Sequence, residues 1–142
     1  MLVRDGEDFL GLTVTDRGAA GTPGAGDIRF AVRVRVTGKD TVFTGETWCW
    51  VEGRVLAAFA DQLRALEELR QGAAALESMS PGELRLEVRS TDRAGHMAAF
   101  GQVGHWCYSG AGGRHWSAIA FGIQFSPSEL PPLVREFSAL VA

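Results

Sequence analysis

The sequence contains no asparagine, a single lysine (Lys39) and only two cysteines. Cys49 and Cys107 stand far apart and form no CxxC pair, so the sequence offers neither a zinc ribbon nor a disulfide framework. The formal net charge of −3 supplies no basic stripe that would neutralise phosphates. These absences argue against nucleic acid as a partner and favour a reducing compartment.

Long apolar runs are absent as well. No stretch approaches the roughly 20 residues that span a bilayer, and the first twelve residues lack the apolar core of a signal peptide. The glycine- and alanine-rich stretch 17–27 has no GK[ST] ending, so it is typical of a mobile hairpin loop rather than of a phosphate-binding loop. We therefore expect a cytoplasmic protein with no membrane contact, built as one domain over residues 1–142.

What the sequence does contain is a clear two-residue period. In residues 28–36 the apolar side chains point one way, whereas Arg33 and Arg35 point the other, which is typical of an antiparallel strand with one buried face. Similar alternation predicts strands over 9–15, 41–52, 83–90, 97–108 and 115–125. Short turn-forming stretches at 38–40, 91–96 and 109–114 predict hairpins between neighbouring strands.

Two segments have a helical period instead. The first begins near Val55, carries apolar residues at three- and four-residue spacing, and ends at Gly72. The second begins at the two prolines after a short turn capped by Ser126 and carries Leu133, Phe137 and Leu140 inward. The predicted fold is α+β, with βββα–βββα order, one six-stranded antiparallel sheet and two helices on one face. The helices share a spacing, which an internal repeat and generic amphipathicity explain equally well.

The stretch ETWCWVEG, residues 46–53, places Trp48 and Trp50 on one strand face together with Glu46 and Glu52. If the helices cover the apolar side of the sheet, the other side collects the tryptophans and arginines. This predicted protein-binding face consists of Trp48, Trp50, Arg33, Arg35, Arg85, Arg89, Trp106 and Trp116. Tryptophan and arginine are enriched at interface hot spots. The alternative is that the tryptophans serve only the architecture.

The residues that carry chemistry form no complete set. His105, Cys107 and His115 are the best metal-ligand candidates, but a site needs three or four converging ligands, and no further acid is evident. Asp92 and His96 flank a turn without an activated nucleophile beside them. We therefore predict no catalytic residue, no cofactor, no metal and no enzymatic activity.

The stretch GELRLEVRSTDRAGHM, residues 82–97, the later strand with Trp116 and Ala118, and the terminal L-x-x-F-x-x-L helix together resemble a family of small bacterial proteins. That family is similar to the WapI-type immunity proteins, which protect bacteria against their own polymorphic toxins. The similarity covers residues 28–141. It implies a sheet-and-helix binding protein without a catalytic set, and it assigns no role to individual residues.

Three functions are compatible with these observations. The first is a protein-binding module, such as an immunity-type inhibitor of a bacterial toxin, that works through the tryptophan and arginine face. The second is a homo-oligomeric scaffold that associates with a second copy of itself. The third is a small-molecule or metal binder at the end of the sheet that holds His96, His105 and His115.

Overall fold

The computed structural model describes all residues 1–142 and contains eight strands and two α-helices. The first half consists of β1 (Leu2–Asp5), β2 (Asp8–Arg17), β3 (Ile28–Thr37), β4 (Val42–Val51) and helix α1 (Gly53–Leu69). The second half consists of β5 (Ala73–Glu77), β6 (Leu84–Ser90), β7 (Met97–Tyr108), β8 (Arg114–Phe125), a 3-10 turn (Pro127–Glu129) and helix α2 (Leu130–Val141).

The strands form two antiparallel sheets of four, in the orders β1-β2-β3-β4 and β5-β6-β7-β8. The α+β class and the antiparallel pairing are confirmed, whereas the single six-stranded sheet is wrong. The β3–β4, β6–β7 and β7–β8 hairpins join neighbours in sequence, and alternation together with turn residues predicted each of them. Helix α1 separates β4 from β5 and packs along β5. The chain therefore leaves the first sheet at α1 and begins the second sheet with β5.

The two strands that sequence patterning missed, β1 and β5, each open one half of the chain. β1 has only four residues, too few to establish an alternation. β5 is the alanine-rich segment AAALE, whose composition predicts a connector rather than a strand. It becomes a strand because Ala74 and Leu76 are buried on the core side while the backbone pairs with β6. Burial and pairing thus override local preference.

One hydrophobic core joins the inner faces of both sheets to the two helices. It contains 29 buried residues, and its largest members include Phe30, Phe59 and Phe137. The rings of Phe59 in α1 and Phe137 in α2 meet edge to face, with centroids 4.8 Å apart. Neither helix is both long enough and apolar enough to cross a lipid bilayer.

The sheets cross, so that β4 runs over several strands of the second sheet. Near one end of β4 the backbone N–H of Met79, in the loop after β5, donates to the carbonyl of Trp50 at 2.8 Å. Further along, Gly45 lies against Ile119 of β8, so closely that a Cβ there would sit 3.0 Å from the Ile119 Cδ1 atom. β4 therefore passes from the β5 side of the second sheet to its β8 side.

The glycine-rich stretch 17–27 folds into consecutive turns rather than an open loop. The Gly18 N–H donates to the Asp27 carbonyl at 2.8 Å, and a Cβ on Gly18 would lie only 1.7 Å from the Gly24 oxygen. The Asp27 carboxylate then accepts a 2.9 Å hydrogen bond from the Gly53 N–H. This bond satisfies a donor at the first turn of α1, where Glu52 supplies no side-chain cap.

Both halves of the chain repeat the order of four strands followed by a helix. The strand order within the two sheets is also the same. The helix spacing that first suggested an internal repeat therefore has a counterpart in the arrangement of the strands.

Candidate protein-binding surfaces

The predicted binding residues lie on two sheets instead of one. Arg33, Arg35, Trp48 and Trp50 occupy the solvent side of the first sheet, and we call this group the β4 surface. Across the β3–β4 pairing, Trp48 lies opposite Ala31 and Trp50 opposite Arg29. Trp48 is 54% exposed, whereas Trp50 is half-buried. Glu46 faces the same side and lies 3.6 Å from the Arg33 Nε atom. Glu52 has left the strand and precedes α1.

The other four predicted residues, Arg85, Arg89, Trp106 and Trp116, occupy the solvent side of the second sheet, and we call this group the hairpin surface. Trp106 and Trp116 lie directly opposite each other on β7 and β8. Beyond Val103, β7 no longer pairs with β6, so both tryptophans sit on a two-stranded arm that extends past the sheet. An isolated two-stranded ribbon is marginally stable, and its side chains must hold it together.

A stack of side chains stabilises this arm. The Arg114 guanidinium lies 4.1 Å from the centre of the Trp106 ring, which meets the Trp116 ring at 71° with centroids 5.5 Å apart. Trp116 in turn lies on Gly104 and Gly82, where added Cβ atoms would come within 2.5 Å and 3.2 Å of its ring. Cation–π and edge-to-face contacts each contribute roughly 0.5–1.5 kcal/mol. The arm therefore presents aromatic rings in fixed positions.

Sequence reasoning singled out neither Arg114, which belongs to this stack, nor its neighbour Tyr108. They lie opposite each other at the end of the arm, and Tyr108 is 76% exposed. Both side chains point to the same face as Trp106 and Trp116, and this shared alternation is the sequence signal that could have identified them. The register across the 109–113 turn was needed to bring them together.

The loop between β5 and β6 connects the two surfaces. Met79 in this loop bonds to the backbone of Trp50 on the β4 surface. Three residues later Gly82 supports Trp116 on the hairpin surface, and its carbonyl accepts a 3.2 Å hydrogen bond from the Gln102 amide. The side-chain hydroxyl of Ser78, a buried residue, fixes the loop with hydrogen bonds to Ser80 and Leu84. The tryptophans of both sheets are thus linked through one short, well-bonded segment.

His105, Cys107 and His115 lie on the opposite side of the arm. The Cys107 Sγ atom is 3.4 Å from the His105 Nε2 atom and 3.5 Å from the Ser117 hydroxyl. Nowhere in the chain do three or more His, Cys, Asp or Glu side chains converge as a metal ion would require. Cys49 is a buried free thiol, and burial, reinforced by the charge of Glu83, raises its pKa to about 12. Both cysteines are unpaired thiols.

Asp92 and His96, which flank the β6–β7 turn, are joined by a hydrogen bond. The His96 Nδ1 atom lies 2.5 Å from the Asp92 carboxylate, which also accepts from the Ala94 and His96 N–H groups. The nearby Ser90 hydroxyl donates to the Asp92 carbonyl at 2.7 Å. The hydrogen bond from His96 holds the pKa of the Asp92 carboxyl below its usual value. The pair closes the β6–β7 turn.

This turn should respond to acid. Because the folded-state pKa of Asp92 is depressed, its contribution to stability is fully present above the unfolded-state pKa and is lost as pH falls through the folded value. We expect the difference in Tm between the wild type and Asp92→Asn to be present at neutral pH and to shrink below about pH 4. Thermal unfolding from pH 7 to pH 2 measures it. Asp40→Asn, at an exposed aspartate in another turn, is the matched control, and equal pH dependence of the two variants would contradict this role.

Comparison with protein families connects these surfaces to a known group. The model of the Immunity protein WapI-like family matches residues 1–142. The chain belongs to this family. The match confirms the resemblance drawn from the 82–97 stretch and extends it to β1 and the glycine-rich stretch. No curated protein and no solved structure matches the chain significantly.

The description of the WapI-like immunity family implies a toxin as the binding partner. A surface that contacts another protein needs exposed side chains on a rigid frame. The β4 surface and the hairpin surface have that character, since their large aromatic residues project from paired strands.

Proposed function

We propose that this protein is a non-enzymatic immunity protein that binds a bacterial toxin in the cytoplasm and inhibits it through the β4 surface and the hairpin surface. The observation that carries the proposal is the exposure of three large aromatic side chains in a member of an immunity family. Trp48, Trp106 and Trp116 are 54%, 43% and 37% exposed. Tryptophan dominates the binding energy of many interfaces because it buries a large area with few rotatable bonds.

The fixed positions of the aromatic side chains on the hairpin surface support this role. Arg114 and Gly104 hold Trp106 and Trp116 from either side, so these side chains have little rotamer freedom left to lose on binding. Immobilising a flexible side chain at an interface costs about 0.5–1.5 kcal/mol, and a preorganised ring avoids most of that cost. The arm is therefore well suited to insert its aromatic face into a pocket or cleft of the toxin.

The charged residues around the tryptophans can provide specificity. Arg85 pairs with Glu77 at 3.2 Å and Arg89 with Glu87 at 3.3 Å, and all four side chains are substantially exposed. Exposed ion pairs contribute little to stability, so their loss on binding costs little. Each arginine can exchange its partner for a carboxylate of the toxin, which would align the two proteins.

The test is neutralisation of toxin domains from the source bacterium, each co-expressed with the wild type, Trp48→Ala or Trp106→Ala. We expect the wild type to rescue growth against one toxin domain and the variants to lose rescue. For that domain the Kd should rise by about 30-fold or more, as expected for a hot-spot residue worth roughly 2 kcal/mol. Leu69→Ala is the matched control, because Leu69 is an apolar side chain that is 69% exposed on α1, outside both surfaces.

Two outcomes would contradict the proposal. If the tryptophan variants neutralise as well as Leu69→Ala does, the two surfaces do not bind the toxin. If the wild type binds no toxin domain and sediments as a dimer that the tryptophan variants disrupt, the surfaces serve self-association. Circular dichroism of each variant checks that the fold is retained.

A further inference from the structure

The long edge of β8 carries a row of unused backbone hydrogen-bonding groups. The Ser109 N–H donates to the Gly113 carbonyl, so odd-numbered residues of β8 bond to β7 and even-numbered residues point away from it. The backbone groups of Trp116, Ala118, Ala120 and Gly122 therefore face outward, and none has a hydrogen-bond partner in the chain. Their side chains are exposed as well. Such a row is a template for one further strand.

The other three sheet edges are shorter or partly occupied. β1 has four residues and β5 has five, and the outward Ala75 N–H of β5 donates to the Gln62 side chain at 2.8 Å. On β4 the outward Trp50 carbonyl is taken by Met79. β8 has twelve residues and carries no charged side chain after Arg114, no proline and no bulge. Proteins usually protect an edge with such devices, and their absence sets β8 apart.

The first sheet extends beyond this edge and forms a shelf. All four strands of the first sheet contact β8. The contact with Ile119 is made by Gly45, which lies in one row across this sheet with Val3, Leu10 and Val34. One row further out, in the same side-chain phase, come the residues that we call the shelf: Asp5, Asp8, Val36 and Phe43. Two residues along a strand span about 7 Å, and a new strand would lie about 4.8 Å from β8. The shelf therefore covers one added strand.

The shelf has two chemically different ends. Phe43 is 54% exposed although it has the phase of the core, and Val36 beside it is half-buried. At the other end Asp5 is exposed and makes no ion pair or side-chain hydrogen bond, while Asp8 accepts two bonds from Thr37. β4 and β1 are separated by three strand spacings, or about 14 Å. An added strand that crosses the shelf covers this distance with about four residues. The matching strand has an apolar side chain at one position and a basic one four residues away.

We propose that the β8 edge and the shelf receive an extended segment of the toxin, with an apolar side chain on Phe43 and a lysine or arginine near Asp5. The identity of this partner rests on the proposed function. Strand addition supplies affinity through the backbone, whereas the alternate side chains supply selectivity. A second copy of this chain fits less well. If β8 paired with β8 of a second copy, the shelf of each copy would have to occupy the same space as the first sheet of the other copy.

Synthetic peptides test the groove without knowledge of the toxin. The first probe is an eight-residue peptide with Phe, Val and Lys at every second position, so that all three side chains lie on one face of an extended strand, and with threonine elsewhere. The second probe is the same peptide with Glu in place of Lys. We expect the Lys peptide to slow amide exchange at Ala118, Ala120 and Gly122 and to shift the Phe43 signals in an NMR titration. The Glu peptide should bind a few-fold more weakly, as expected for one exposed ion pair.

Variants locate the interaction. Ala120→Pro removes one outward donor from the edge and should weaken the Lys peptide by about tenfold. Ala73→Pro places the same substitution at the start of the opposite edge strand and should change nothing. Asp5→Lys should reverse the preference between the two peptides. Equal binding to wild type and Ala120→Pro, or an unchanged preference in Asp5→Lys, would overturn the proposal.

The same variants separate this proposal from the broader one. A toxin that wild type and Ala120→Pro bind equally would overturn strand addition and leave the immunity function standing. If the chain alone shows protection of the β8 amides that rises with its own concentration, a second copy occupies the groove and the proposal is wrong. A toxin that slows exchange at Ala120 and loses affinity in Ala120→Pro would support it.

Discussion

Phe137→Ala is expected to lower the free energy of unfolding by about 3–5 kcal/mol, which is a large part of the 5–15 kcal/mol that stabilises a typical domain. The Phe137 side chain is 0% exposed and meets Phe59 of α1 edge to face at 4.8 Å. Alanine would leave a cavity where the two helices join and would remove the aromatic contact. Urea unfolding measures the loss as a lower midpoint at an unchanged slope.

The control for this variant is Phe43→Ala, which removes the same ring from a side chain that is 54% exposed. We expect a change within about 1 kcal/mol, as for most substitutions at exposed positions. If both variants lose similar stability, the α1–α2 contact is not the centre of the core. The control is also useful in itself, since a folded Phe43→Ala can be tested for loss of peptide binding.

Gly101→Ala is expected to destabilise the second sheet by roughly 3 kcal/mol or more, although it adds a single methyl group. A Cβ at Gly101 would lie 1.9 Å from the Arg85 carbonyl oxygen on the paired strand and 3.1 Å from the Phe121 ring. A backbone oxygen cannot rotate away as a side chain can, so β6 and β7 must separate locally. Thermal unfolding should show a large drop in Tm, together with faster exchange of the β6 amides.

Gly110→Ala provides the comparison, because a Cβ at this position in the β7–β8 turn meets nothing within 4 Å. Its Tm should stay within a few degrees of the wild type. A Gly101→Ala protein as stable as Gly110→Ala would mean that β6 and β7 approach less closely at this point. Because Trp106 and Trp116 project from β7 and β8 and Gly101 lies in β7, loss of β6–β7 pairing should also weaken the toxin binding that we propose for the hairpin surface.

Most of the local structure could be predicted from residues that are close together in the sequence. The two-residue period of 28–36 and the turn at 38–40 predicted the β3–β4 hairpin, and the β7 bounds, 97–108, agree with the structure. The three- and four-residue spacing predicted both helices and their buried faces. These features depend on neighbours in sequence, so a single chain carries enough information to reveal them. The resemblance at residues 82–97 likewise pointed to the immunity family.

How these strands and helices combine depends on contacts that appear only in the folded protein. Alternation shows that Arg33 and Arg85 point to solvent, but the same pattern fits one sheet or two. The division into two sheets follows from α1 packing along β5 and from Gly45 lying on Ile119, contacts between residues far apart in sequence. It separates the predicted binding face into the β4 surface and the hairpin surface. It also leaves the β8 edge open beneath the shelf, because an edge exists only once strand order is fixed.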